Sequence, residues 1–416
     1  MKPIENIPIL EPLQFKFVSS FILLTIIAGL GMGVARVLTS LYAVHIQATD
    51  VQLGLIAAAQ NIGLLFMALP VGVLIQRFGT LRIFFFGSVI GSFLYSLHPL
   101  HVNAWYLLLM TALVSFIVPM RFISIQTVFL THLKRLGPAK AGWFRGANLM
   151  GFFLIAPIFT LFLIGQFGYK HAYFAVAVLF LMTLIFASTC FVLPTTVVKT
   201  KVKKISLSSI LEPIKLIRIH PHLRTVCSLE FMSNFANNYF GFFIVVIAIQ
   251  NFGLQSSNAV MLLTGQGVIF VGSLLSLGGL AEILGYHKFY LIGLSSVSVA
   301  LIGLSIAQHV FWLWPSIVLF GLGLGILQIS NFMSFAKIGE QTQMIVISPL
   351  LAMVGPAGGI LGGLVGAVFG QQFGLQNLFA PIGLIFLIMT FFLLKNNRFQ
   401  DFLKENSSTQ LQRQEP

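Results

Sequence analysis

Charged residues are scarce in this chain: they make up 8% of its 416 residues, and only 10 residues are acidic. Soluble domains carry about 25% charged residues because their surface faces water. A water-soluble globular protein is therefore excluded. Cysteine is nearly absent as well. Cys190 and Cys227 are too few for a disulfide framework and have no partner at metal-ligand spacing, so neither a secreted scaffold nor a zinc site is indicated. Both read as reduced core thiols. The sequence lacks Gly-x-x-x-x-Gly-Lys-Ser/Thr, His-Glu-x-x-His and Gly-x-Ser-x-Gly. ATP is not expected to drive the protein, and membrane hydrolases of those types are disfavoured. No catalytic residue, metal or cofactor is predicted, and the chain does not read as an enzyme.

What is plentiful is apolar. Hydrophobic residues reach 57%, and the mean hydropathy is +0.96, so most of the surface must face lipid. A hydrocarbon core of about 30 Å takes about 20 apolar helical residues. Runs of that kind fall near 17–45, 52–75, 83–101, 104–131, 143–167, 172–194, 224–251, 257–283, 289–308, 311–335, 343–370 and 377–394. They predict an all-α membrane protein with twelve spans. The first run is too long for a signal-peptide core and has no small-residue cleavage site after it, so it reads as an uncleaved first span.

The net charge of +14, in a soluble protein, would point to nucleic acid. Position overturns that reading. With the N-terminus inside, 21 of the 24 Lys and Arg residues fall on the cytoplasmic side, Lys170 alone falls outside, and Arg36 and Arg121 remain within spans. Cytoplasmic loops collect Lys and Arg, so the asymmetry predicts both termini inside, in a bacterial inner membrane. The boundaries follow: a cytoplasmic N-terminus over 1–16, six helices over 17–194, a central loop over 195–223, six helices over 224–394, and a tail over 395–416. Leu207, Ile210, Leu211, Ile214 and Ile217 in the central loop make one apolar face with Lys215 and Arg218 opposite. That pattern predicts an interfacial amphipathic helix tethering the two bundles.

Gly72-Val73-Leu74-Ile75-Gln76-Arg77-Phe78-Gly79-Thr80-Leu81-Arg82 stands between spans two and three. Gly278-Gly279-Leu280-Ala281-Glu282-Ile283-Leu284-Gly285-Tyr286-His287-Lys288 stands between spans eight and nine, at a constant offset of 206 residues. Gln60 and Gln266 match at the same offset. Gly72 and Gly79 are expected to permit close helix approach and a tight turn, and Arg77 and Arg82 to hold the turn on the cytoplasmic side. The duplication, the two loops and the basic central segment resemble the major facilitator superfamily over roughly residues 15–395. The resemblance implies two six-helix halves around a central cavity lined by spans one, four, seven and ten. In that family an acidic residue of the loop helps latch the halves. Here its first position is the uncharged Gln76, while the second copy keeps Glu282.

Charge inside a span is costly and marks a functional hypothesis. Arg36, Arg121 and Glu230 are the cases, with Asn234, Asn237, Asn238, Gln328 and Asn331 as polar neighbours on the same implied cavity helices. At 1.5 Å rise per residue, Arg121 lies about 20 Å above Lys134, Glu230 about 9 Å above Arg224, and Arg36 about 14 Å below His45. On these heights Arg36 and Glu230 are not expected to pair, whereas Arg121 and Glu230 could meet directly or through water. Two guanidiniums with few carboxylates suit an anionic solute, because Arg binds carboxylate or phosphate bidentately. The predicted substrate site comprises Arg36, Arg121, Asn234, Asn238, Gln328, Asn331, Gln60 and Gln266, with Glu230 as the proton-coupling group. The glycine tracts Gly321–Gly325 and Gly355–Gly363 read as packing and bending elements rather than phosphate cradles.

Three functions compete. The first is a monomeric secondary transporter of an organic anion, a polycarboxylate or siderophore-like compound or a phosphorylated metabolite, coupled to protons or a counter-solute. The second is proton-driven efflux of lipophilic drugs, against which Ala156-Pro157 in span five counts, because it lacks the glycines of the antiporter motif. The third is a membrane-embedded sensor or assembly partner that transports nothing.

Overall fold

The computed structural model describes residues 15–136, 146–191, 217–342 and 344–403. Among the described residues every regular element is helical. Span one is Phe15–His45, span two Asp50–Phe78, span three Thr80–Leu97 and span four Ala104–Leu136. Spans five and six share the apolar stretch Gly146–Ser188, whose 43 residues are twice what one crossing needs. Gly168, at φ 74° and ψ 171°, breaks that stretch in two. The second half comprises Pro221–Gln250, Ser256–Ser276, Tyr286–Ile306, Val310–Thr342, Met344–Phe373 and Phe379–Lys395 as spans seven to twelve. Span twelve then bends by 77° into the short helix Asn397–Leu403. Among the described residues this gives twelve crossings, with Gly146–Ser188 counted as two, consistent with two six-helix bundles. The predicted amphipathic helix of the central loop lies outside the described residues, apart from its last turn.

The repeated loops have the same backbone. Span two ends and span three begins around Gly79, at φ 87° and ψ 155°, and the helix Gly278–Leu284 meets span nine around Gly285, at φ 81° and ψ 140°. A positive φ of this kind is open to glycine and strains other residues. The expectation for Gly72 is corrected: no heavy atom lies within 4 Å of where its side chain would begin, so it sits beside open space and brings no helices together. Close approach occurs elsewhere, where Gly54 lies on the backbone of Ala367 and Gly363 on that of Ala58.

Those two contacts join spans two and eleven, the tightest seam between the halves. Spans one and seven meet at the same level, where the Ser40 hydroxyl donates to the Phe242 carbonyl at 3.0 Å. Toward the face carrying the basic loops the two spans part. Phe17, Phe21 and Leu24 of span one pack with Phe84, Val128, Ala187 and Phe191 of their own half, and Leu223, Val226 and Leu229 of span seven belong to a separate core cluster. The central seam is closed far from the basic face. On the basic side a contact persists between spans five and eight, at Gly146 and Leu275.

A polar chain across the seam

Arg36 sits just below this closure, half-buried, with its guanidinium against Gly241 of span seven and 5.8 Å from the centre of the Phe152 ring of span five. Glycine at 241 is what admits it: a side-chain carbon there would stand 2.7 Å from Arg36 Nη2. Nη2 donates to Asn238 Oδ1 at 3.1 Å, the only hydrogen bond Arg36 makes among the described residues. A guanidinium has five N–H donors, so most of its capacity is open.

The bond to Asn238 begins a continuous line. Asn238 Nδ2 donates to the Asn234 carbonyl at 2.9 Å, and Asn234 Nδ2 donates to Glu230, to its carbonyl at 2.9 Å and to Oε1 at 2.8 Å. From span ten, Asn331 Nδ2 donates to Glu230 Oε2 at 2.7 Å. Tyr290 of span nine donates to Asn331 Oδ1 at 2.9 Å and lies 3.0 Å from the Ser334 hydroxyl. The spacing of four residues from Glu230 to Asn234 to Asn238 puts all three on one face of span seven. Glu230 is 5% exposed and Asn331 0%, and a carboxylate at such a depth is tolerable only with its oxygens satisfied. The heights did not favour a direct Arg36–Glu230 pair, and among the described residues the amides of Asn238 and Asn234 stand between them.

Arg121 is the main correction. It is 2% exposed and turns into the first half, donating from Nη2 to Thr183 Oγ1 of span six at 3.1 Å. Its guanidinium lies 3.5 Å from the centre of the Phe180 ring and 5.7 Å from that of Phe84, contacts worth about 2 kcal/mol when desolvated. It does not meet Glu230. Gln266 is 1% exposed and enclosed beside Gly321 of span ten, while its repeat partner Gln60 is half-buried. Gln328 and Asn237 are half-buried on spans ten and seven. Asn61 was missed: a side-chain carbon at Gly359 would meet both Asn61 Oδ1 and Asn238 Nδ2, at 2.8 Å and 2.9 Å, so the two amides flank one glycine. Its place next to Gln60 was the available signal. Phe152, Tyr290 and Ser334 carried none in an aromatic-rich, apolar sequence.

In the signature loop, Gln76, Arg77 and Arg82 are exposed, as is Lys288 in the second copy. Arg77 lies 5.3 Å from the Phe78 ring centre. Among the described residues the first three make no hydrogen bond across the seam. The side chain of Glu282 lies outside the described residues.

Two helical bundles that share a polar seam, one side shut and a charged line running from it into the second bundle, define a membrane carrier rather than an enzyme. The sequence matches the Major Facilitator Superfamily over residues 21–346, and the chain belongs to that family of secondary transporters. It is similar in structure to the crystal structure of the nucleoside transporter NupG, with a TM-score of 0.72 and 13% identity over 91% of this chain and 98% of that one. A mutant of the same transporter aligns at a TM-score of 0.71 and 14% identity, over 93% of this chain and all of the other. No curated protein matches significantly.

Proposed function

We propose that the chain carries a small organic anion across the membrane by alternating access, with Arg36 receiving the anionic group. The carrying observation is the state of Arg36: a half-buried guanidinium at the seam whose only acceptor among the described residues is a neutral amide. A carboxylate or phosphate group would take two of its free N–H groups in parallel. Asn238, which contacts Arg36, and Asn61 and Asn234 beside Asn238 supply further donors and acceptors along the same line. Positive-inside asymmetry makes the basic face cytoplasmic, so a seam shut on the opposite side describes an inward-facing carrier. The polar line ends on Glu230, which is assigned as the proton-coupling group. Arg121 is assigned to holding spans four and six together, and substrate contact is withdrawn from it.

A second reading has its own support. The linked amides of Asn61, Asn234 and Asn238, with Phe152 near Arg36, also suit an uncharged polar ring compound, the class to which the solute of the structurally similar nucleoside transporter belongs. Counterflow in proteoliposomes separates the two, using polycarboxylates, sugar phosphates, nucleosides and lipophilic cations at imposed pH gradients. Organic anions are expected to exchange, and Arg36→Gln to reduce that exchange by about a hundredfold, the loss of about 2.7 kcal/mol from a charged bidentate contact. Arg36→Lys should retain part of it. Exchange of nucleosides alone, or anion exchange untouched by Arg36→Gln, would overturn the anion reading.

A further inference from the structure

The basic face of the second half holds a cavity that the transport seam does not use. It lies between the start of span seven and the end of span twelve, and Arg224, Thr225, Ser228, Asn396, Arg398 and Phe392 are among its lining residues. Its polar wall has two guanidiniums. Arg224 and Arg398 are both exposed, and among the described residues neither guanidinium makes a hydrogen bond or an ion pair. Both therefore keep all five N–H donors available. Thr225 and Ser228 add hydroxyls one helical turn apart on span seven, and Asn396 adds an amide at the bend.

The opposite wall is apolar. Phe392 is exposed and Met389 half-buried on the last turns of span twelve, on the side from which hydrocarbon would approach. The floor is rigid because the short helix Asn397–Leu403 is tied down at several points. Phe399 and Phe402 are buried, the His222 and Phe402 rings stack at 4.5 Å and 11°, and Lys337 donates to the Phe402 carbonyl. The helix places Arg398 at the rim and keeps its apolar face inward.

Two arginines with hydroxyls and an amide on one side, and exposed apolar residues on the other, match a phosphate group that carries a hydrocarbon tail. We propose that this cavity binds the headgroup of an anionic phospholipid, its phosphodiester between Arg224 and Arg398 and its acyl chain along Met389 and Phe392. Anionic headgroups concentrate at basic clusters on the cytoplasmic side of membrane proteins. A pair of unpaired arginines in a formed cavity converts that general attraction into a saturable site.

The test uses the full chain, delipidated in a neutral detergent, with thermal unfolding as the readout. Phosphatidylglycerol is expected to raise the melting temperature saturably by about 3–6 °C, and phosphatidylcholine by less than half as much. Arg224→Gln with Arg398→Gln should abolish the difference between the two lipids. Lys395→Gln, which removes a nearby exposed charge that does not line the cavity, should leave it intact. Arg224→Lys with Arg398→Lys, which keeps the charge without the fork, should show a weakened difference, guarding against a folding defect in the double Gln variant. Equal responses to the two lipids would overturn the proposal, as would an undiminished difference in the double Gln variant. So would inorganic phosphate at about 10 mM reproducing the whole shift in the wild type, which would make the site one for soluble phosphate.

Discussion

At the scale of single residues, Glu230 is a buried carboxylate held from two helices. Its two carboxylate oxygens accept from amides on different helices, Asn234 of span seven and Asn331 of span ten. Protonation removes the charge that strengthens both amide bonds and adds an O–H that needs an acceptor of its own. That change links protonation to the contact between spans seven and ten. Glu230→Gln imitates the protonated side chain in size and hydrogen bonding. It is expected to keep counterflow, which needs no proton movement, and to lose accumulation driven by a pH gradient. Both are measured in the same proteoliposomes. Accumulation that survives in Glu230→Gln would remove this residue as the coupling group. Arg121 shows what a sequence leaves out at this scale. Rise per residue gives height in the membrane, but not which way a side chain points around its helix. The residues one and two turns on, Ser124 and Val128, are apolar or weakly polar and buried, and they place Arg121 on the face packed against its own half.

At the scale of elements, span five carries a local departure with a readable cause. Met150–Ile155 is a π-helical turn, in which the Ala156 N–H reaches back to the Gly151 carbonyl. Pro157 follows and has no N–H to offer the Phe153 carbonyl, so the ordinary helical pattern cannot close there. The wide turn sets Gly151 on the backbone of Ile26 in span one and Phe152 beneath Arg36. Pro157→Ala restores the missing donor and allows the turn to tighten, which would rotate Phe152 away from the guanidinium. The variant is expected to fold and melt within a few degrees of the wild type while its exchange rate falls about tenfold, near 1.4 kcal/mol in the barrier. Unchanged exchange would show that the wide turn is only packing. The proline was visible in the sequence, and its missing glycines were read against drug antiport, but a π-turn follows from the fit of span five to span one. The spans themselves, by contrast, were plain from hydropathy. The tight turn expected at Gly79 was legible from its glycine, whereas its one-residue length and the matching turn at Gly285 come from the structure.

At the scale of the whole molecule, the decisive property is that the halves touch unequally. Spans two and eleven meet through Gly54 against Ala367 and Gly363 against Ala58, backbone to backbone, with almost no side chain between them. Such contacts have little interdigitated surface to unpack, and dispersion between closely spaced backbones is regained when they close again. A carrier that rocks needs this part of the seam to open on each cycle. Cysteines at Gly54 and Ala367 would have their β-carbons closer than the usual 3.8 Å of a disulfide, so the bond requires the two backbones to yield slightly, which a seam built to part can do. In a chain with Cys190 and Cys227 replaced by Ala, oxidation of the Gly54→Cys, Ala367→Cys pair is expected to stop exchange, and a reductant to restore it. The unoxidised double variant should retain measurable exchange. If the cross-link forms, as verified by a mobility shift on gels, and exchange continues, this seam does not open during transport. The carrier would then change state by some motion other than separation of spans two and eleven.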